Sequence, residues 1–87
     1  MKPVSKQKDS FVKRAEIYKL KPASLVLLEQ RVVLLEVIAQ RAANLSLSPQ
    51  EIEKTVKLHK TELGLHEVPQ EMIKQIVAKR NRIQKGT

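Results

Sequence analysis

The segment over residues 22–45 is apolar around more of its circumference than a helix on a protein surface usually is. Its apolar side chains recur at three- and four-residue steps, the spacing of an α-helix, and they form three adjoining stripes. The stripes are Leu25, Leu28, Val32, Leu35, Ala39 and Ala42; Leu27, Leu34, Ile38 and Leu45; and Val26, Val33 and Val37. An ordinary amphipathic helix buries one arc about 100° wide or slightly wider. This helix therefore lies at the centre of a bundle, or it buries one face against a second copy of the chain.

A chain of 87 residues offers few other elements to cover such a helix. A domain of this size buries only about 60–65% of the surface of its unfolded chain, so its core is small. We therefore predict a homodimer whose interface contains the third stripe, Val26, Val33 and Val37. The alternative is a monomeric bundle in which the other helices wrap the central helix completely.

The chain on either side of this segment also predicts helices. It is rich in Leu, Lys, Glu and Ala and poor in Gly, and prolines mark the joints. A first helix is predicted from Asp9 or Ser10 to Leu20. Residues 1–8 are predicted to form a flexible basic arm, and residues 9–87 a single all-helical domain. The predicted fold class is all-α, a small bundle of about four helices.

The last two predicted helices have recognisable boundaries. Ser48 is a suitable N-cap, Pro49 suits the first helical position, and Glu51 completes the pattern of a capping box. Gly64 is typical of a helix stop, because glycine adopts the left-handed backbone conformation there without steric strain. A fourth helix is predicted from about Pro69 to the C-terminal region.

Positive charge is concentrated at the two ends of the chain. The sequence has 17 Lys or Arg and 9 Asp or Glu residues, a net charge of +8. Residues 1–21 contain seven basic and two acidic residues, and residues 74–87 contain five basic and no acidic ones. Residues 22–73 contain five basic and seven acidic residues. This asymmetry indicates an anionic partner that the ends contact, the alternative being that the charge serves solubility alone.

The fourth helix combines the side chains with which proteins bind DNA. Lys and Arg neutralise phosphates, whereas Gln, Asn and Arg form hydrogen bonds to base edges. The third and fourth helices have the coarse layout of a helix-turn-helix, although the linker over residues 64–68 is longer than the usual turn. Arg80 falls at the apolar arc of the helix, where its aliphatic stem packs and its charge reaches outward. The predicted nucleic-acid-binding residues are Lys74, Gln75, Lys79, Arg80, Asn81, Arg82 and Lys85, together with Lys6, Lys8, Lys13 and Arg14 near the N-terminus.

Several other classes of protein are excluded or disfavoured. The absence of cysteine excludes disulfides and thiolate metal ligands. No metal or other cofactor is predicted, since the only candidate ligand group matches no known spacing: His59, Glu62, His66 and Glu67. The sequence has no glycine-rich phosphate loop and no evident nucleophile with a base, so we expect no enzymatic activity. Without a signal-peptide pattern or a long uncharged apolar run, we expect a cytoplasmic protein, or a nuclear one in a eukaryote.

The sequence favours a dimeric nucleic-acid-binding protein, such as a DNA-binding transcription regulator or accessory factor. Duplex DNA is favoured over RNA because the aromatic residues, Phe11 and Tyr18, are too few to stack on unpaired bases. The alternative is a helical adaptor, scaffolding or assembly factor that binds an acidic protein surface. Binding to a membrane surface ranks last, because the fourth helix has no Trp or Phe to anchor it.

Overall fold

The long apolar helix of the sequence is the central element of the fold. The computed structural model describes residues 11–86, and over this range it contains four helices and no strand. The helices are α1 (residues 11–17), α2 (Leu25–Leu45), α3 (Pro49–Leu58) and α4 (Gln70–Gly86). The predicted all-α class with about four helices is confirmed. The predicted arm, residues 1–8, lies outside the described residues.

One face of α2 supplies the middle of the hydrophobic core. Its buried residues are Leu28, Val32, Leu35, Ile38, Ala39 and Ala42. α2 packs against both α3 and α4, which also pack against each other. The small side chains of Ala39 and Ala42 are fully buried, so the neighbouring helices can approach the α2 backbone closely. The other helices contribute Ala15 from α1, Ile52 and Val56 from α3, and Met72, Ile73 and Ile76 from α4, and Tyr18 adds its side chain from the turn after α1.

The end of α1 and the start of α2 differ from the predicted boundaries. α1 ends at residue 17 and not at Leu20, because Lys19 takes a left-handed backbone conformation, with φ of 65°. α2 begins at Leu25 and not at residue 22, because Ser24 is its N-cap: the Ser24 Oγ accepts a hydrogen bond from the N–H of Leu27 at 3.3 Å. The start of α2 is therefore set by the Ser24 side chain, which caps an N–H group that has no partner within the helix. Pro22 lies outside the helix.

The predicted capping box at the start of α3 is confirmed. The Glu51 N–H donates to Ser48 Oγ at 3.2 Å, and the Ser48 N–H donates to Glu51 Oε1 at 2.9 Å. The end of this helix differs from the prediction, since α3 stops at Leu58 and residues 59–64 form a further helical turn. Gly64 closes that turn with a φ of 70°, so its predicted role as a stop applies to the turn that follows α3.

The same C-terminal motif ends three helical segments of this chain. A left-handed residue is followed by a leucine whose N–H bonds back to a carbonyl five residues earlier, the pattern of a Schellman motif. The three residue pairs are Lys19–Leu20, Ser46–Leu47 and Gly64–Leu65, with N–H···O distances of 2.9, 3.0 and 2.9 Å. Only Gly64 has the residue type that adopts this conformation without a steric penalty, so the motif at Lys19 and Ser46 is strained.

Replacement of Lys19 with Gly is expected to raise the free energy of unfolding by about 1 kcal/mol, because it removes the clash of Cβ in the left-handed conformation. Urea denaturation followed by helical circular dichroism measures the change. Lys13→Gly is the matched control within α1, and it is expected to destabilise the protein by about 1 kcal/mol. Equal destabilisation by both variants would contradict the assignment of Lys19 to the end of α1.

Candidate nucleic-acid interface

The outer face of α4 presents a row of cationic side chains. α4 turns Met72, Ile73 and Ile76 into the core, which leaves its opposite arc at the surface. The exposed basic residues of α4 are Lys74, Arg82 and Lys85, and a fourth, Lys79, is half-buried at the edge of the apolar side. Within residues 11–86 none of these four forms a hydrogen bond or an ion pair. At 1.5 Å per residue the row is about 16 Å long, so four charges are available to an anionic partner over three turns of helix.

The remaining predicted residues of α4 are bonded within the protein. Gln75 Nε2 donates to Glu71 Oε2 at 3.1 Å. Arg80 Nε donates to Asn81 Oδ1 at 2.7 Å, and Arg80 Nη1 donates to the carbonyl oxygen of Leu47. Arg80 thus lies at the apolar edge of α4, as predicted, and its guanidinium attaches α4 to the linker between α2 and α3.

Gln84 makes a second contact of the same kind. Its Nε2 donates to the carbonyl oxygen of Ala43 at 3.2 Å, in the last turn of α2. The last four carbonyls of a helix have no partner within it, so they need donors from elsewhere. The C-terminal half of α4 therefore serves two purposes: one edge satisfies the end of α2 through Arg80 and Gln84, and the other carries the free cations.

Arg14 of α1 is held in an ion pair across the helix interface. Its Nη1 lies 3.0 Å from both carboxylate oxygens of Glu36 in α2. Its guanidinium carbon lies 4.7 Å from the centroid of the Phe11 ring, within the range of a cation–π contact. No local sequence pattern predicts that Glu36 and Arg14 meet, since they are 22 residues apart and the contact exists only once α1 packs on α2.

The hydroxyl of Tyr18, which is buried just after α1, has a shifted pKa. Burial raises the pKa of the Tyr18 hydroxyl, the charge of Glu36 raises it further, and the positive charges of Arg82 and Arg14 lower it. Arg14 lies at the interface of α1 and α2, whereas Arg82 is exposed on α4. Lys13 is exposed on α1, whereas Lys6 and Lys8 lie outside the described residues.

The connection between α3 and α4 spans residues 59–69 and has its own internal bonds. Nδ1 of His59 and Oε1 of Glu62 are 2.5 Å apart, and Lys60 Nζ donates to the carbonyl oxygen of His66 at 3.2 Å. The Arg31 guanidinium packs on Gly64 so closely that a Cβ at position 64 would lie 2.8 Å from it. The connection is thus longer than a helix-turn-helix turn of three to four residues, and it is fixed against α2.

The three valines predicted at a dimer interface form an exposed line on α2. Val26, Val33 and Val37 are 62%, 45% and 55% exposed, and their spacing places them on the side of α2 roughly opposite its buried stripe. Glu29 and Arg41 flank the line with opposite charges, so this face is formally neutral. Leu58, which the sequence analysis did not single out, is the most exposed of the large apolar side chains in residues 11–86, at 80%.

Replacement of Arg80 with Ala is expected to lower the free energy of unfolding by about 1.5 kcal/mol, because the Leu47 carbonyl loses its charged donor. Lys79→Ala, one residue earlier and without a hydrogen bond or ion pair in residues 11–86, is expected to change it by less than about 0.5 kcal/mol. Chemical denaturation of both variants and the wild type measures the free energy of unfolding of each. Equal effects would show that Arg80 does not stabilise the linker.

In residues 11–86 no helix is both long enough and apolar enough to cross a membrane. No group of three His, Asp or Glu side chains in this range is arranged to hold a metal ion. Comparison with known proteins gave no match: no protein-family model matches the chain, and no curated protein or solved structure is significantly similar to it. Its function is therefore inferred from the geometry of its own side chains.

Proposed function

We propose that this protein is a small, dimeric, non-enzymatic nucleic-acid-binding protein, a DNA-binding regulator or accessory factor that contacts duplex DNA through α4. The observation that carries the proposal is the row of four unpaired cations on α4, Lys74, Lys79, Arg82 and Lys85. An α-helix fits the major groove of B-DNA, which is about 12 Å wide, and Lys and Arg on its flanks reach the phosphates. The basic arm before α1 adds further phosphate contacts in this proposal.

In this arrangement α4 is the helix that enters the groove and α3 the helix that supports it. Packing between α3, α4 and α2 fixes their mutual orientation, which a helix-turn-helix requires of its two helices. Gln75 and Asn81 are placed for base contacts once they exchange their intramolecular partners, Glu71 and Arg80, for base edges. Arg80 is assigned a structural role through Leu47.

Affinity for DNA is expected to fall steeply with salt, because each neutralised phosphate releases a counterion and contributes about −0.9 to the log–log slope. Fluorescence anisotropy with a labelled random duplex at roughly 50 and 200 mM salt measures this slope. In the variant Lys79→Glu/Arg82→Glu the log–log slope should be smaller in magnitude by the contribution of about two phosphate contacts. The variant Lys54→Glu/Lys57→Glu changes the charge by the same amount on α3, and its slope should decrease less.

Equal weakening by the two double variants would show that net charge alone drives binding and that the face of α4 is not the contact surface. No binding of the wild-type protein at the lower salt concentration would refute the proposal. An acidic protein surface would then be the better partner for α4, as in the alternative function of an adaptor. Competition with duplex RNA separates the two nucleic acids.

We also propose that α2 pairs with its counterpart in a second copy through Val26, Val33 and Val37. The folded chain is flat, with principal extents of 40 × 33 × 16 Å, and a second layer would cover the apolar line on its central helix. The neutrality of this face matters because two copies with a net charge of +8 each repel elsewhere. The free cations of α4 point away from the valine line, so pairing leaves them accessible.

Sedimentation equilibrium is expected to give twice the chain mass of 9.9 kDa at concentrations above the micromolar range, as suits a small interface. Val33→Lys/Val37→Lys should give the mass of one chain and retain the helical signal, since both valines are exposed. Leu58→Lys, an exposed apolar position away from the line, is the control and should remain dimeric. A wild-type protein that stays monomeric throughout would refute the interface.

A further inference from the structure

Arg14 has a fixed guanidinium, which is unusual for a surface arginine. Glu36 binds its Nη1 from one side, and the Phe11 ring packs against its guanidinium. Its Nε is buried and has no hydrogen-bond partner, so the inner edge of the guanidinium faces the protein. These contacts leave the side chain very little rotational freedom.

The outer donor of this guanidinium remains available. In residues 11–86 the hydrogen bonds of Arg14 run from Nη1 to Glu36, and Nη2 takes part in none of them. The side chain is 36% exposed, and of its nitrogen atoms only Nε is both buried and without a partner, so Nη2 has access to solvent. An arginine held in this way offers one amino group to an external acceptor and keeps the other on its carboxylate.

α4 contributes an unpaired cation of its own. Arg82 is exposed and has no hydrogen bond or ion pair in the described chain. Arg14 on α1 and Arg82 on α4 are therefore two separate cationic donors, one held by a carboxylate and the other free.

From this geometry we propose that Glu36 is a positioning residue for DNA binding. It holds Arg14 so that Nη2 bonds a backbone phosphate of the duplex that α4 contacts. This inference rests on the proposed DNA-binding function. Its physical basis is preorganisation: an arginine that is already fixed loses little conformational entropy when it binds, whereas a free arginine loses more.

A double-mutant cycle tests the coupling between these two residues. Duplex affinity and its salt slope are measured for the wild type, Arg14→Ala, Glu36→Gln and the double variant, with Arg82→Ala as a reference. Arg14→Ala in the wild-type background is expected to weaken binding about tenfold, as suits the loss of a charge-assisted hydrogen bond, and to reduce the slope by about 0.9. In the Glu36→Gln background the same change should weaken binding less than about twofold, as a mobile arginine contributes little.

Two outcomes overturn the inference and leave the proposed function intact. If Arg82→Ala reduces the slope but Arg14→Ala does not, the ion pair of Arg14 is structural only. If Arg14→Ala has the same effect in both backgrounds, Arg14 contacts phosphate without help from Glu36. Failure of the wild type to bind DNA at low salt would overturn both proposals together.

The variant Arg14→Lys tests the effect on DNA affinity in a protein that is expected to remain folded. The lysine retains the positive charge opposite Glu36 but cannot bond Glu36 and a phosphate through two planar amino groups at once. It is expected to weaken DNA binding about as much as Arg14→Ala while preserving the helical signal and the midpoint of thermal unfolding. Wild-type affinity in this variant would show that only the charge at position 14 matters.

Discussion

The packing of one face of α2 against α3 and α4 is the constraint on which the rest of the structure depends. α2 packs on both α3 and α4 and contributes the fully buried side chains of Val32, Leu35 and Ala39 to the core. Burial of apolar surface at about 25 cal/mol per Å² is the main favourable term available to so small a chain. Because one face of α2 is used in this way, its opposite face and the outer arc of α4 remain at the surface.

Polar contacts decide how α4 lies on this core. Hydrophobic packing is not directional, so it would tolerate some sliding of α4 along α2. The bonds from Arg80 to Leu47 and from Gln84 to Ala43 fix the register, because each satisfies a carbonyl at or just beyond the end of α2. The orientation of the cations on α4 is thus a consequence of how α2 ends.

Apolar and basic surfaces are kept apart in this fold. The valine line on α2 and the cations on α4 lie on different sides of the molecule, since the core stripe of α2 faces α4. A surface that associates with a second copy and one that binds an anion have opposite requirements: the first must carry little net charge, whereas the second must carry much of one sign. This separation is compatible with the proposal that the protein both forms a dimer and binds DNA.

The sequence by itself determined the helical class, the central position of α2, the capping box at Ser48 and the cationic arc of α4, because these follow from local periodicity and capping chemistry. It predicted the end of α2 at Leu45 but not the end of α1 before Lys19, where the left-handed residue is not glycine. Only the tertiary structure shows that Arg80 and Arg14 are bonded within the fold, whereas Lys79 and Arg82 are not. Residues with the same charge differ in this way because their partners, Leu47 and Glu36, are distant in sequence and become neighbours only on packing.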